Sequence, residues 1–260
     1  DKAAFMTAAK LGVSVGVSES TVVRFAIELG FSGYPKLQKS LQELIKNKLT
    51  TVQRLELSSD YITEGHALKG VLKADMENIR ATMEKIDYNT FEDVVNNIFA
   101  AKRIYIIGLR SSMALAEFLG FYLNIILQNV KTVGYGISDI FEQMINVGEG
   151  DLVIGIGFPR YASRTIDALA FAQDRGARVV AVTDSFLSPL ATRADYALIA
   201  QSNMASFVDS LVAPLSVINA LIIAVGMREK DNISSTFNSL EEIWQEYNVY
   251  SYNNRNVGDD

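Results

Sequence analysis

Cysteine is absent from all 260 residues, which excludes disulfides and cysteine-ligated zinc. Histidine occurs once, at His66, so a His-rich metal site is excluded, and a Ser/His/Asp triad would have to use that one ring. No basic, apolar, small-residue leader opens the chain, so secretion is not expected. Long apolar runs are also missing. The most apolar stretch, Leu211 to Met227, is interrupted by Pro214, Ser216 and Asn219 and follows Asp209. It falls short of the roughly 20 residues a membrane span needs. It reads instead as a core or dimer-interface helix, and the expected location is the cytoplasm, with no membrane part.

What is present describes a globular chain, with 49% hydrophobic and 21% charged residues. The net charge of −6 is unevenly spread. Residues 1–48 hold seven basic residues (Lys2, Lys10, Arg24, Lys36, Lys39, Lys46, Lys48) against four acidic ones (Asp1, Glu19, Glu28, Glu43). A basic leading segment on an acidic body suits a DNA-contacting module, although chance clustering of surface lysines gives the same count.

Three short helices are predicted over residues 7–48. Thr7 can cap the first, with Ala8, Leu11 and Val15 at helical spacing. Ser18 is a good N-cap for the second, whose packing stripe is Val22, Val23, Phe25, Ala26 and Leu29, and Gly30 ends it. Gly33-Tyr34-Pro35 then breaks the chain before a third helix, Lys36 to Asn47. Residues 49–87 read as a helical linker. Beyond Tyr88 the texture changes to short apolar runs, at 103–107, 151–156 and 178–183, the signature of strands buried on both faces. Helical stretches at 113–128, 139–147 and 165–175 alternate with them, residues 131–134 form a further short strand, and Tyr196–Ala200 forms a fifth. A helix over 206–228 and an amphipathic helix over 235–247 follow, with Trp244, Tyr247, Tyr250 and Tyr252 in the tail. The expected fold class is α/β, a five-stranded parallel sheet flanked by helices with a small all-α module ahead of it. The expected divisions are 1–50, a linker over 51–87, a sheet domain over 88–228, and a C-terminal helix and tail over 229–260.

A helix, a three-residue turn and a second helix make a helix-turn-helix, although an ordinary αα-hairpin satisfies the same periodicity. In the first reading, Glu19, Ser20, Thr21 and Arg24 lie near the outer face, where hydroxyls and a guanidinium meet phosphates or base edges. The string from Leu11 to Phe25, followed by Leu29-Gly30-Phe31-Ser32-Gly33-Tyr34-Pro35, resembles the recognition region of the RpiR/MurR family of transcriptional regulators. The resemblance implies that the helix starting at Ser18 reads an operator, with Ser18, Ser20, Thr21 and Arg24 as the DNA-binding residues. Such regulators carry further helices ahead of the position of Asp1, so this chain is expected to be a fragment, with a partial DNA-binding domain.

In an open parallel sheet, ligands sit at the carboxyl ends of strands, beside helix N-termini. Three loops qualify. Gly108-Leu109-Arg110-Ser111-Ser112 offers hydroxyls, backbone N–H groups and a guanidinium. The segment 157–165 offers Arg160, Ser163, Arg164 and Thr165, and the segment 183–189 offers more hydroxyls and Asp184. Phosphate wants such donors, although hydroxyls at strand ends also serve as plain helix caps. The dinucleotide fingerprint G-x-G-x-x-G is missing after Ile107, which argues against a nucleotide fold. Residues of about 88–228 resemble the sugar isomerase (SIS) domain, through Ile107–Ser112, Phe158-Pro159-Arg160-Tyr161, Thr183-Asp184-Ser185 and Ser188-Pro189-Leu190. The resemblance implies a phosphosugar site at Gly108, Arg110, Ser111, Ser112, Phe158, Arg160, Ser163, Thr183 and Ser188. It also shows a departure. SIS domains place phosphate-binding hydroxyls at positions matching Gly157, Pro159 and Ala162, and none of these carries one here; Arg160 is the substitute.

SIS domains also occur as sugar-phosphate isomerases, which need a base and a ring-opening group. His66 lies in the linker, and Glu142 and Glu117 are the carboxylates best placed for a base, without a visible acid partner. The expectation is therefore a DNA-binding sensor of a phosphorylated sugar rather than an enzyme. It has no catalytic residues, metal or cofactor, and its partners are operator DNA, a phosphorylated sugar, and copies of itself in a dimer or dimer of dimers. The alternatives are an isomerase and a dimerisation scaffold with a vestigial pocket.

Overall fold

The computed structural model describes residues 2–45, 50–58, 67–204 and 207–251. Two compact units divide the chain, one made of residues 1–85, 158–162 and 200–213, the other of residues 86–157, 163–199 and 214–260.

In the first unit, helices α1 (Ala8–Val15), α2 (Glu19–Glu28) and α3 (Tyr34–Ile45) pack around Ala8, Val22, Ala26, Tyr34 and Leu37. The caps are where the sequence puts them. Thr7 accepts from the Lys10 backbone N–H at 3.2 Å and Ser18 from that of Thr21 at 3.3 Å. Gly16 and Gly30 take the left-handed backbone (φ 77° and 87°) that lets α1 and α2 stop. Tyr34 is buried, its hydroxyl donates to the Met6 carbonyl at 2.8 Å, and burial raises its pKa. Three expectations need correction. The third helix begins at Tyr34 rather than Lys36, because Pro35 in a first turn forfeits only an N–H that has no partner there. Phe25 and Leu29 are more than half exposed, and so is Val15. A core this small takes a stripe only Val22 and Ala26 wide, with Gly12 rather than Val15 buried on α1. Asn47 lies outside the described residues.

The same unit holds α4 (Thr51–Ser58), α5 (Ala67–Lys85) and the segments 158–162 and 200–213. Arg54 is buried and ion-paired with Asp209 at 3.0 Å. The inner face of α5 is polar. Asp75 accepts from Ser210 at 2.6 Å, and Asn78 both donates to and accepts from the Asn203 backbone, at 2.9 and 3.1 Å. Thr82 accepts from the Gln201 N–H at 2.8 Å.

The second unit is a five-stranded parallel sheet in the order β2-β1-β3-β4-β5, made of β1 (Ile104–Gly108), β2 (Val130–Val133), β3 (Leu152–Ile156), β4 (Arg178–Thr183) and β5 (Tyr196–Ile199). Every residue of β1 and β3 is buried, which is why those strands read as continuous apolar runs. Helices α6 (Tyr88–Ala100), α7 (Met113–Leu127), α8 (Ile140–Gln143), α9 (Ser163–Asp174), α10 (Val212–Arg228) and α11 (Lys230–Glu246) complete the set, with Val212 and Ala213 in the first unit and the rest of α10 in the second. Asp151, buried at the start of β3, accepts from Arg103 at 2.8 and 3.0 Å, and this bond raises the Arg103 pKa. Against expectation, α8 has four residues, α9 starts at Ser163, α10 at Val212, and α11 at Lys230 rather than Ser235. On α11 Ile233 is buried while Phe237, Ile243 and, at its C-cap, Tyr247 are exposed, so the apolar side of this amphipathic helix is only partly covered. Ser206, the expected first residue of α10, and Tyr252 lie outside the described residues. No single helix among the described residues is long and apolar enough to cross a membrane.

Candidate functional site

Helix α2 presents its N-terminus outward. Ser18 caps it, and the Ser18 hydroxyl lies 2.8 Å from both Ser20 Oγ and Thr21 Oγ1. Ser18, Ser20 and Arg24 are exposed and Thr21 is half-buried. Three linked hydroxyls at the first turn of a helix are the kind of donor set that suits an anion. Arg24, a turn and a half along, adds a fixed positive charge. All four residues expected to read DNA therefore share one exposed helix end.

The loop after β1 is shaped by Gly108. A Cβ there would lie 2.6 Å from the Ser112 carbonyl oxygen, so only glycine lets the turn at Arg110–Ser112 fold back this closely. Arg110 takes the left-handed region (φ 58°), a conformation that costs about 1 kcal/mol in a non-glycine residue. Arg110 and Ser111 are exposed and Ser112 is buried, at the entry to α7. A positive-φ arginine on a strand-end loop marks a site where geometry is held at some cost in stability.

On the neighbouring strands the hydroxyls divide by use. Thr183, fully buried at the end of β4, lies 3.4 Å from Asp184 Oδ1. Ser188 is buried and its oxygen accepts from the Ala191 N–H at 3.0 Å, so it caps the short turn Ala191–Arg193. Ser163 is exposed as the first residue of α9, and Arg164 is ion-paired with Asp139 and stacked over Phe141. Thr165, in the first turn of α9, is buried with no hydrogen-bond partner for its hydroxyl among the described residues, a feature the residue type alone does not signal. The glycine that replaces a hydroxyl-bearing residue at 157 has a packing reason: a Cβ there would lie 2.7 Å from Leu190 Cδ2, and Leu190 is fully buried.

Phe158 and Arg160 belong to the first unit. Phe158 is buried; Arg160 is exposed, has a left-handed backbone (φ 64°), and donates to Thr51 Oγ1 at 2.7 Å. Glu142, the leading carboxylate for a base, is engaged in the capping box of α8, where it accepts from the Asp139 N–H at 2.9 Å. Glu117 is exposed on α7. His66 lies outside the described residues, and no cluster of metal-ligating side chains occurs among those described.

Comparison with known proteins follows the same division. Residues 1–48 match the helix-turn-helix domain of the rpiR family and residues 97–224 match the SIS domain. An HTH-type transcriptional regulator of Haemophilus influenzae is 30% identical over 188 residues, covering 70% of this chain and 64% of its own length. Another, from Clostridium perfringens, is 26% identical and covered to 65%. The chain thus spans slightly under two thirds of the curated relatives it matches first. The regulator HexR of Escherichia coli is 24% identical over 252 residues, 93% of this chain and 85% of that one. Among solved structures, the sugar isomerase domain of an RpiR transcription factor from Sphaerobacter thermophilus superposes with a TM-score of 0.65 at 29% identity, over 68% of this chain and 99% of that one. The NanR protein of Vibrio vulnificus, solved with ManNAc-6P, shares the fold at a TM-score of 0.60 and 19% identity, over 94% and 87% of the two chains. With a helix-turn-helix of this type followed by a SIS domain, the two matches together covering well over half its length, the chain belongs to the rpiR family of helix-turn-helix proteins.

Proposed function

We propose that this protein is a DNA-binding transcriptional regulator of sugar metabolism whose SIS domain senses a phosphorylated sugar. The observation that carries the reading is the presence on one chain of an exposed hydroxyl-and-arginine helix end and of a SIS sheet with donor-rich strand ends. Operator DNA takes the first, through Ser18, Ser20, Thr21 and Arg24. On the sheet, the proposed phosphosugar contacts are Gly108, Arg110, Ser111, Ser112, Ser163 and Thr183, with Ser188 contributing its remaining hydroxyl proton. Phe158 and Arg160 keep a proposed ligand role that substitution tests independently. The working divisions are residues 1–50 for DNA, 51–87 as linker, 88–228 for the sugar, and 229–260 as C-terminal helix and tail. The protein works in the cytoplasm as a dimer, because two recognition helices reading two half-sites need a fixed spacing that a ligand can shift. It turns over no substrate: the relatives aligned over 90% and 93% of it are named HTH-type transcriptional regulators, and Glu142 is engaged as a cap.

The test is a thermal-shift panel of sugar phosphates and their unphosphorylated sugars, since a ligand bound only to the folded state raises Tm by mass action. A shift from one phosphorylated sugar, lost in Ser111→Ala, supports the sensor, and loss in Arg160→Ala assigns that residue to the site. Conversion of the same compound on incubation would make the protein an isomerase. A flat panel would leave a dimerisation scaffold with a vestigial pocket. For the DNA half, Arg24→Ala is expected to weaken operator binding in fluorescence anisotropy; unchanged binding would remove Arg24 from the interface.

A further inference from the structure

Helix α5 has its faces reversed. Its inner face carries the buried polar residues Asn78 and Thr82, hydrogen-bonded to the segment 201–203, while its outer face carries Leu68, Leu72, Met76, Ile79 and Met83. Those five side chains recur at helical spacing and lie between 40% and 76% exposed. An amphipathic helix whose apolar stripe faces water is a surface made for a partner. One edge of the stripe is occupied within the unit, where Asp75 and Thr82 bond Ser210 and Gln201. The other edge carries Lys69, Lys73, Glu77, Arg80 and Glu84, all exposed.

That edge identifies the occupant. Basic residues lie toward its N-terminal end and acidic ones toward its C-terminal end, with Arg80 between the two glutamates. In an antiparallel helix pair related by a two-fold axis, like edges meet with reversed direction. An axis beside Ile79 sets Lys73 opposite Glu84 of the second copy and Glu77 opposite Arg80, so opposite charges meet along this edge of the apolar seam at both ends of the axis. A parallel two-fold pairing would set this edge against the opposite edge of the partner's stripe, which is occupied by the bonds of Asp75 and Thr82, and none of these pairs would form. Antiparallel helix dipoles add to the preference.

We propose that the outer face of α5 is the surface on which a second copy of this chain packs, antiparallel, around a two-fold axis at Ile79. This rests on the reading of the protein as a dimer and gives that dimer a surface and a register.

The absence of cysteine makes the register directly measurable. In the full chain, Ile79→Cys is expected to form an interchain disulfide on mild oxidation, because residues beside the axis approach within the roughly 7 Å a disulfide tolerates between Cα atoms. Leu68→Cys, on the same stripe but roughly 16 Å along the helix, is expected not to cross-link. In sedimentation velocity, Met76→Glu should weaken association about tenfold or more. Lys73→Glu and Glu84→Lys should each weaken it, and the double exchange should restore it, with far-UV circular dichroism unchanged throughout. A dimer indifferent to Met76→Glu, equal cross-linking at 68 and 79, or no rescue by the double exchange would overturn the proposal and leave the dimer itself standing. A wild-type chain that sediments as a monomer would overturn both.

Discussion

Gly108 decides the shape of the first strand-end loop more than any polar residue in it. Substitution Gly108→Ala would drive a Cβ against backbone atoms of Ser112, which cannot swing aside as a side chain can. Overpacking of this kind costs about 1–3 kcal/mol. We expect a Tm lowered by several degrees in calorimetry, and a Tm equal to wild type would show that the turn is free to move. At this scale the sequence was legible in residue type and less so in use. Ser188 and Glu142 both read as site chemistry, yet each has its oxygen in a cap, because a hydroxyl or carboxylate beside a turn is as useful to the backbone as to a ligand. Thr165 is the reverse case, a hydroxyl counted among the loop donors that burial leaves without a partner among the described residues.

Among the elements, α5 shows how far periodicity reaches. Residues 49–87 read as helical for want of strand signals, and that reading says nothing about which side of a helix faces the protein. Here polar residues face in, since the segment 201–203 has backbone groups to satisfy and Asn78 satisfies two of them. Asn78→Ala would leave an N–H and a carbonyl of Asn203 unpaired, at a cost of about 1–3 kcal/mol. Denaturant unfolding should show it. If stability is unchanged, water reaches that backbone and the inner face is less buried than it looks. A similar limit explains Phe25 and Leu29. They recur at the spacing of a packing stripe, but the neighbours that would cover them are not supplied by α1 and α3.

For the molecule as a whole, the two units differ in the cores available to them. The helix-turn-helix module closes on four small or medium buried side chains and one large one, Tyr34, whereas the sheet buries β1 and β3 entirely. Stability is expected to follow the same division. Hydrogen exchange followed by mass spectrometry should show amides of α1–α3 exchanging well before those of β1, β3 and β4. Equal protection in both would mean that the module gains its stability from contacts beyond its own core.

The order of elements, the parallel sheet, the caps at Thr7 and Ser18 and the glycine stops were all readable from residue order, because each depends on neighbours within a few positions or on a period of burial. The direction in which α5 faces, the burial of Arg54 against Asp209 and the left-handed backbones of Arg110 and Arg160 were not. Each of these depends on a residue or a turn brought up from elsewhere in the fold, and local spacing carries no record of which distant group will arrive.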